Sequence, residues 1–167
     1  NGRLIVIASG DDISEPQRCN EIAEHWISAG MPICCLHSGA QFFDGCTDQD
    51  QGCVPPRTGT IADGAKSELW LHKGALPFLS PTCAYSRELF TEFEPMTGGS
   101  IIEDGVMTVR SLLCGRLISI DAPLVRIRRS AETAGTGYRL TKPARWNVFV
   151  RSRMIGYVDQ SRDIARS

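Results

Sequence analysis

Two pairs of adjacent acids carry the chemistry this sequence offers. Asp11 and Asp12 follow directly on the apolar run Leu4-Ile5-Val6-Ile7-Ala8 and the turn Ser9-Gly10. A short β-branched run ended by a Gly-Asp turn predicts a buried strand from Leu4 to Ala8, parallel to its neighbours and covered on both faces. Ligands of open α/β sheets bind beyond the carboxyl ends of such strands. Two carboxylates placed there form a hard oxygen site suited to magnesium or manganese, above all to an ion already carrying substrate phosphates. The competing account is a simple turn before a helix capped by Ser14.

The second pair, Glu103-Asp104, opens a segment of helical periodicity just after Gly98-Gly99. A carboxylate at a helix start accepts backbone N–H groups and complements the dipole, which keeps it ionised. It serves either as a cap or as a general base, and the glycines ahead of it allow a ligand close to the backbone. Arg128 and Arg129 end an apolar strand and are suited to holding a diphosphate, or to forming a solvated edge.

The elements that must position these groups alternate. Ser14-Glu15-Pro16-Gln17 reads as a capping box; the helix after it presents Cys19, Ile22, Ala23, Trp26 and Ile27 on one face and stops at Gly30. Ile33 to Leu36 is the next strand, which makes a strand-helix-strand unit with a right-handed crossover. Gly39 to about Ser67 reads as a long functional excursion with a hairpin through Phe42-Phe43. A helix is predicted from Thr82 to Phe93, with Tyr85, Leu89, Phe90 and Phe93 on one face. Another carries Val106, Val109, Leu112 and Leu113 inward and ends at Gly115. Strands follow at Leu117–Ile120 and Leu124–Arg128, then a last helix from Pro143 with Trp146, Phe149, Val150, Met154 and Tyr157 on its apolar face. The expectation is one α/β domain over residues 1–167, built as three layers around a mostly parallel sheet.

Composition narrows the partners. With 167 residues, 42% apolar and 22% charged, the chain suits a single globular domain. Its net charge of −1 gives no electrostatic reason for a nucleic-acid partner. No apolar run approaches the roughly 20 residues needed to span a bilayer, so a soluble, cytoplasmic protein is expected. Seven cysteines, odd in number and without a Cys-x-x-Cys, predict reduced thiols. A zinc or disulfide site using Cys46 and Cys53 with Cys35 or His37 is the lesser alternative, because that spacing fits no familiar zinc pattern. Arg145, Arg151 and Arg153 around Trp146 and Phe149 suggest membrane-surface association, although packing on the chain's own core explains the same stripe more simply.

Taken together, Ala8-Ser9-Gly10-Asp11-Asp12-Ile13-Ser14 with Pro16 and Arg18, then Ile102-Glu103-Asp104-Gly105 with Arg110, resemble a bacterial family 2 glycosyltransferase of the nucleotide-sugar-binding A-type fold. Cys83-Ala84-Tyr85-Ser86-Arg87-Glu88-Leu89-Phe90 and Pro123-Leu124-Val125-Arg126-Ile127-Arg128-Arg129 extend the resemblance over most of residues 3 to 130. It implies transfer of a sugar from a nucleotide diphosphate donor to a hydroxyl of a glycan, lipid or protein, in a metal-dependent, inverting reaction. By position, Asp11 matches the metal-binding aspartate, with Asp12 supporting the loop, and Asp104 matches the general base, with Glu103 orienting the neighbouring site or serving as the alternative base. Ser9, Asp11, Arg128 and Arg129 would meet the donor. Ser9 stands where many members carry the first acid of Asp-x-Asp, and Ser130 lies near the usual position of a metal-binding histidine. Members also carry earlier strands that grip the nucleotide, so the chain matches the carboxyl-terminal part of the catalytic domain. Weak activity alone, pairing with a second copy through open strand edges, and a non-catalytic binding module on the same scaffold are the corresponding expectations.

Overall fold

A computed structural model describes residues 2–54, 79–98, 103–114, 116–129 and 159–166. In chain order the elements are β1 (Leu4–Val6), β2 (Ile13–Ser14), α1 (Arg18–Ser28), β3 (Cys34–Asp44), β4 (Asp50–Val54), a 3-10 turn (Ser80–Thr82), β5 (Cys83–Ser86), α2 (Glu88–Thr91), α3 (Glu103–Cys114), β6 (Arg116–Arg129) and a helix over 159–166, here α4.

The sheet corrects the expected architecture. Its strand order is β1-β5-β3-β6-β2 with β4 on β3. Among the described strands only β3 and β6 run parallel, while β1–β5, β5–β3, β3–β4 and β2–β6 are antiparallel. The result is a curled, half-barrel mixed sheet rather than a mostly parallel three-layer one. The Leu4–Ala8 run is therefore no central parallel strand: β1 ends the described order, half-buried, against antiparallel β5. The reason lies far along the chain, where Cys83–Ser86 returns as a strand and inserts between β1 and β3. That segment was expected to be helical, but only Glu88–Thr91 is. All four residues of β5 are buried, so no polar alternation marks it as a strand.

Two apolar clusters form on the sheet. Cys35, Cys83, Tyr85 and Leu117 meet Leu89 of α2 and Met107 and Leu112 of α3. Leu36, Ala84, Ile118 and Ile120 meet Ile22 and Trp26 of α1. The stripe α1 buries is Arg18, Ile22 and Trp26, spaced i, i+4, i+8, while Cys19 and Ile27 are exposed, contrary to expectation. No capping box forms: Gln17 occupies the cap position without a side-chain bond, and Ser14 belongs to β2. The stop at Gly30 does occur. Gly30 takes φ +84°, its N–H bonds Ile27 O at 2.9 Å and the Met31 N–H bonds Trp26 O at 2.8 Å, which closes the helix as a left-handed C-cap.

The two strands expected at 117–128 are one, β6. Its pairing to β3 passes from Ile120 opposite Ser38 to Pro123 opposite Gly39, and the bulge at Asp121-Ala122 lets a proline stand in the strand. The hairpin through Phe42-Phe43 is present as β3–β4, so the excursion expected from Gly39 begins as regular sheet. The expected helix from Pro143, with its arginines, lies outside the described residues.

Candidate functional site

The chain between β1 and β2 passes from one edge of the described sheet to the other. Four strand spacings of about 4.8 Å amount to roughly 19 Å, against a reach of about 24 Å for the seven steps from Val6 to Ile13. So short a bridge needs the curled sheet. Asp11 and Asp12 sit near its end. Asp12 N–H turns back to Ser9 O at 3.4 Å, and Ser9 hydrogen-bonds the Asp12 carboxylate. Asp12 Oδ1 also accepts the backbone N–H of Arg128 at 3.0 Å, and Arg128 Nε donates to Asp11 O at 3.1 Å. Partial burial, more than the neighbouring Asp11 charge, lifts the Asp12 carboxyl above the ordinary carboxylate value despite the Arg128 bond. The Asp11 side chain is exposed.

Sequence reasoning placed Arg18 in the motif around Asp11 and Asp12 but gave it no role. It is 1% exposed. One terminal nitrogen donates to Ser14 Oγ at 2.9 Å; the other faces Ile7 O at 2.8 Å, Pro81 O at 2.6 Å and Cys83 O at 3.4 Å. Its Nε is buried without a partner. Desolvation lowers its pKa, and Asp12 and Cys83 lie within electrostatic reach. The signal available was a cation in line with Ile22 and Trp26 on the apolar stripe of a helix.

Across the sheet from Ile7 runs a row of paired residues. Ile7 N–H bonds Cys83 O at 3.1 Å, Cys83 faces His37, and His37 faces Ser119. The His37 ring nitrogen Nε2 and Ser119 Oγ are 2.8 Å apart. Burial pushes the His37 imidazole down to about 4, so it is neutral at pH 7. Asp104, in the first turn of α3, lies within electrostatic reach of Cys83, Cys35 and Tyr85. Its Oδ1 accepts its neighbour's N–H, from Gly105, at 2.7 Å, and its main-chain O accepts Thr108 Oγ1 at 2.6 Å. Glu103 is exposed one residue earlier.

The structure thus gathers Ser9, Asp11, Asp12 and Arg128, while Asp104 belongs to α3, within electrostatic reach of Cys83, whose carbonyl Arg18 holds. Arg128 does more structural work than expected: besides Asp11 O it reaches Gly45 O at 3.2 Å and lies 5.2 Å over the Phe43 ring. Arg129 stands apart, its guanidinium 3.7 Å over Phe42.

A divalent ion suits this donor set in part. Asp11 offers an exposed carboxylate and Asp12 keeps one oxygen outside its Arg128 bond, the one- or two-carboxylate pattern by which magnesium is held together with substrate phosphates. Among the described residues no three His, Cys, Asp or Glu side chains gather into a self-sufficient metal cage. The alternative zinc site does not assemble: Cys46 and Cys53 are exposed while Cys35 and His37 are in the core, and all seven cysteines are free thiols. Among the described residues no helix is long and apolar enough to cross a membrane. No protein-family model matches this chain and no curated protein matches it, so the chemistry of the site rests on its own residues.

Proposed function

We propose that this site transfers a sugar from a nucleotide diphosphate donor to a hydroxyl of a glycan, lipid or protein acceptor, with inversion. The observation that supports it best is that both acidic elements are linked to β5: Arg18 ties the Cys83 carbonyl to the base of the Asp11-Asp12 loop, and Asp104 on α3 lies within electrostatic reach of the same residue. A leaving-group site and a base site on either side of one sugar are what an in-line displacement requires.

In this reading Asp11 and Asp12 would hold a magnesium or manganese ion, which would supply neutralisation of charge on the departing diphosphate. Asp104 takes the proton of the acceptor hydroxyl as its oxygen bonds the anomeric carbon, and the bond from that carbon to the diphosphate oxygen breaks with its electron pair leaving on the diphosphate. Glu103, exposed beside it, orients the acceptor. The Arg129 guanidinium over Phe42 offers the donor a cation, whereas Arg128 chiefly fixes the loop. Free thiols throughout agree with a reducing, cytoplasmic setting.

A non-catalytic binding module has one observation in its favour: the Asp12–Arg128 bond gives an acid of the loop a purely structural task. Calorimetric titration with UDP and GDP, with and without Mn²⁺, tests both readings. Ion-dependent binding that is weakened by Asp11→Ala but kept by Asp104→Asn supports the donor site. Sugar transfer lost in Asp104→Asn then supports catalysis, and absence of ion-dependent binding to either nucleotide overturns the proposal.

A further inference from the structure

Arg18 is an expensive residue to bury. A guanidinium withdrawn from water needs oxygens for its N–H groups, and breaking such an arrangement leaves a buried charge. Among the described residues, those oxygens are carbonyls and one hydroxyl rather than a carboxylate. Their places in the chain are informative. Ile7 and Ser14 flank the bridge that carries Ser9, Asp11 and Asp12; Pro81 and Cys83 lead into β5, which is within electrostatic reach of Asp104. One planar group therefore closes the base of the acidic loop and joins it to the start of β5. A lysine, with a single nitrogen, cannot span the same oxygens.

We propose that Arg18 is the positioning residue of this site: its fork fixes the separation of the Ile7 and Ser14 ends, and through them the orientation of the Asp11 and Asp12 carboxylates toward an ion and its diphosphate. The role rests on the reading of the acidic loop as the ion–diphosphate site. It predicts that loss of the fork weakens ion and diphosphate binding before it unfolds the chain. The second buried arginine, Arg110, touches neither the loop nor β5 and serves as the control.

The test measures Mn²⁺ by the paramagnetic resonance signal of the free ion, in the presence of UDP, together with thermal unfolding of each variant. Ser14→Ala removes one hydrogen bond at an exposed position, keeps the fold, and is expected to weaken Mn²⁺·UDP binding by up to about tenfold, the scale of one charge-assisted hydrogen bond. Arg18→Lys is expected to weaken binding further. Arg110→Lys is expected to lower the melting temperature while leaving binding unchanged. Binding by the wild type that persists unchanged in both Ser14→Ala and a folded Arg18→Lys overturns the role of Arg18 alone. Equal loss of binding in Arg110→Lys shows a general effect of stability and overturns it as well. Absence of Mn²⁺·UDP binding by the wild type overturns the reading of the loop, and the role of Arg18 with it.

Discussion

The Asp12 carboxylate accepts the main-chain N–H of Arg128 at 3.0 Å, across a separation of 116 positions in the chain. The bond fastens the acidic loop to the end of β6 through a group that asparagine can imitate in geometry but not in charge. Asp12→Asn is therefore expected to keep the melting temperature near that of the wild type, whereas Asp12→Ala loses about 1 kcal/mol. Both variants should weaken Mn²⁺ binding. Equal stability of the two, measured by urea unfolding, would remove the structural task assigned to Asp12.

His37 makes stability depend on pH. Its imidazole titrates near 6.5 when unfolded and at about 4 in the fold, so between these values the unfolded chain binds the proton that the native one refuses. Stability contributed by neutral His37 is present above about 6.5 and falls as pH drops toward 4, by roughly 3 kcal/mol in all. Denaturation curves for wild type and His37→Gln across this range should differ in slope. Parallel curves would contradict the assignment.

The carboxyl-terminal helix α4 is held to α3 by an ion pair, Arg110 to Asp163 at 2.8 Å, with both side chains 1% exposed. Asp159 adds bonds to Thr97 N–H at 2.9 Å and Thr97 Oγ1 at 2.7 Å. Asp163→Ala leaves a buried guanidinium without its carboxylate and should cost about 3–5 kcal/mol, while Arg110→Met with Asp163→Leu should cost much less. A double variant as unstable as Asp163→Ala would show that packing, not the stranded charge, dominates.

What the sequence revealed followed its local signals. The helix from Glu103, with Val106, Val109 and Leu112 inward, and the stop at Gly30 are set by periodicity and by a left-handed backbone position, both readable within a dozen residues. The partners of β1 were not readable that way. Antiparallel insertion of Cys83–Ser86 depends on residues 80 positions away and on a segment too buried to alternate. The joining of Leu117–Ile120 to Leu124–Arg128 was hidden by Pro123, which only a bulge makes compatible with a strand. At the candidate site, the acids stand out by type and neighbours, and Arg18 stands in the same motif; its burial was not legible, because a charged residue early in a helix ordinarily faces water.

In the proposed reaction the Asp11-Asp12 loop and Asp104 serve one sugar. Anomalous diffraction from crystals soaked with Mn²⁺ and UDP tests it directly. A manganese peak is expected in contact with the Asp11 carboxylate, with the UDP diphosphate bound to it and the Asp104 carboxylate on the far side of a sugar-sized space, on the order of 6–10 Å across by analogy with paired carboxylates at a glycosidic carbon. A manganese peak away from Asp11 and Asp12, or one there with Asp104 turned into its own helix and shielded from the diphosphate, would contradict it.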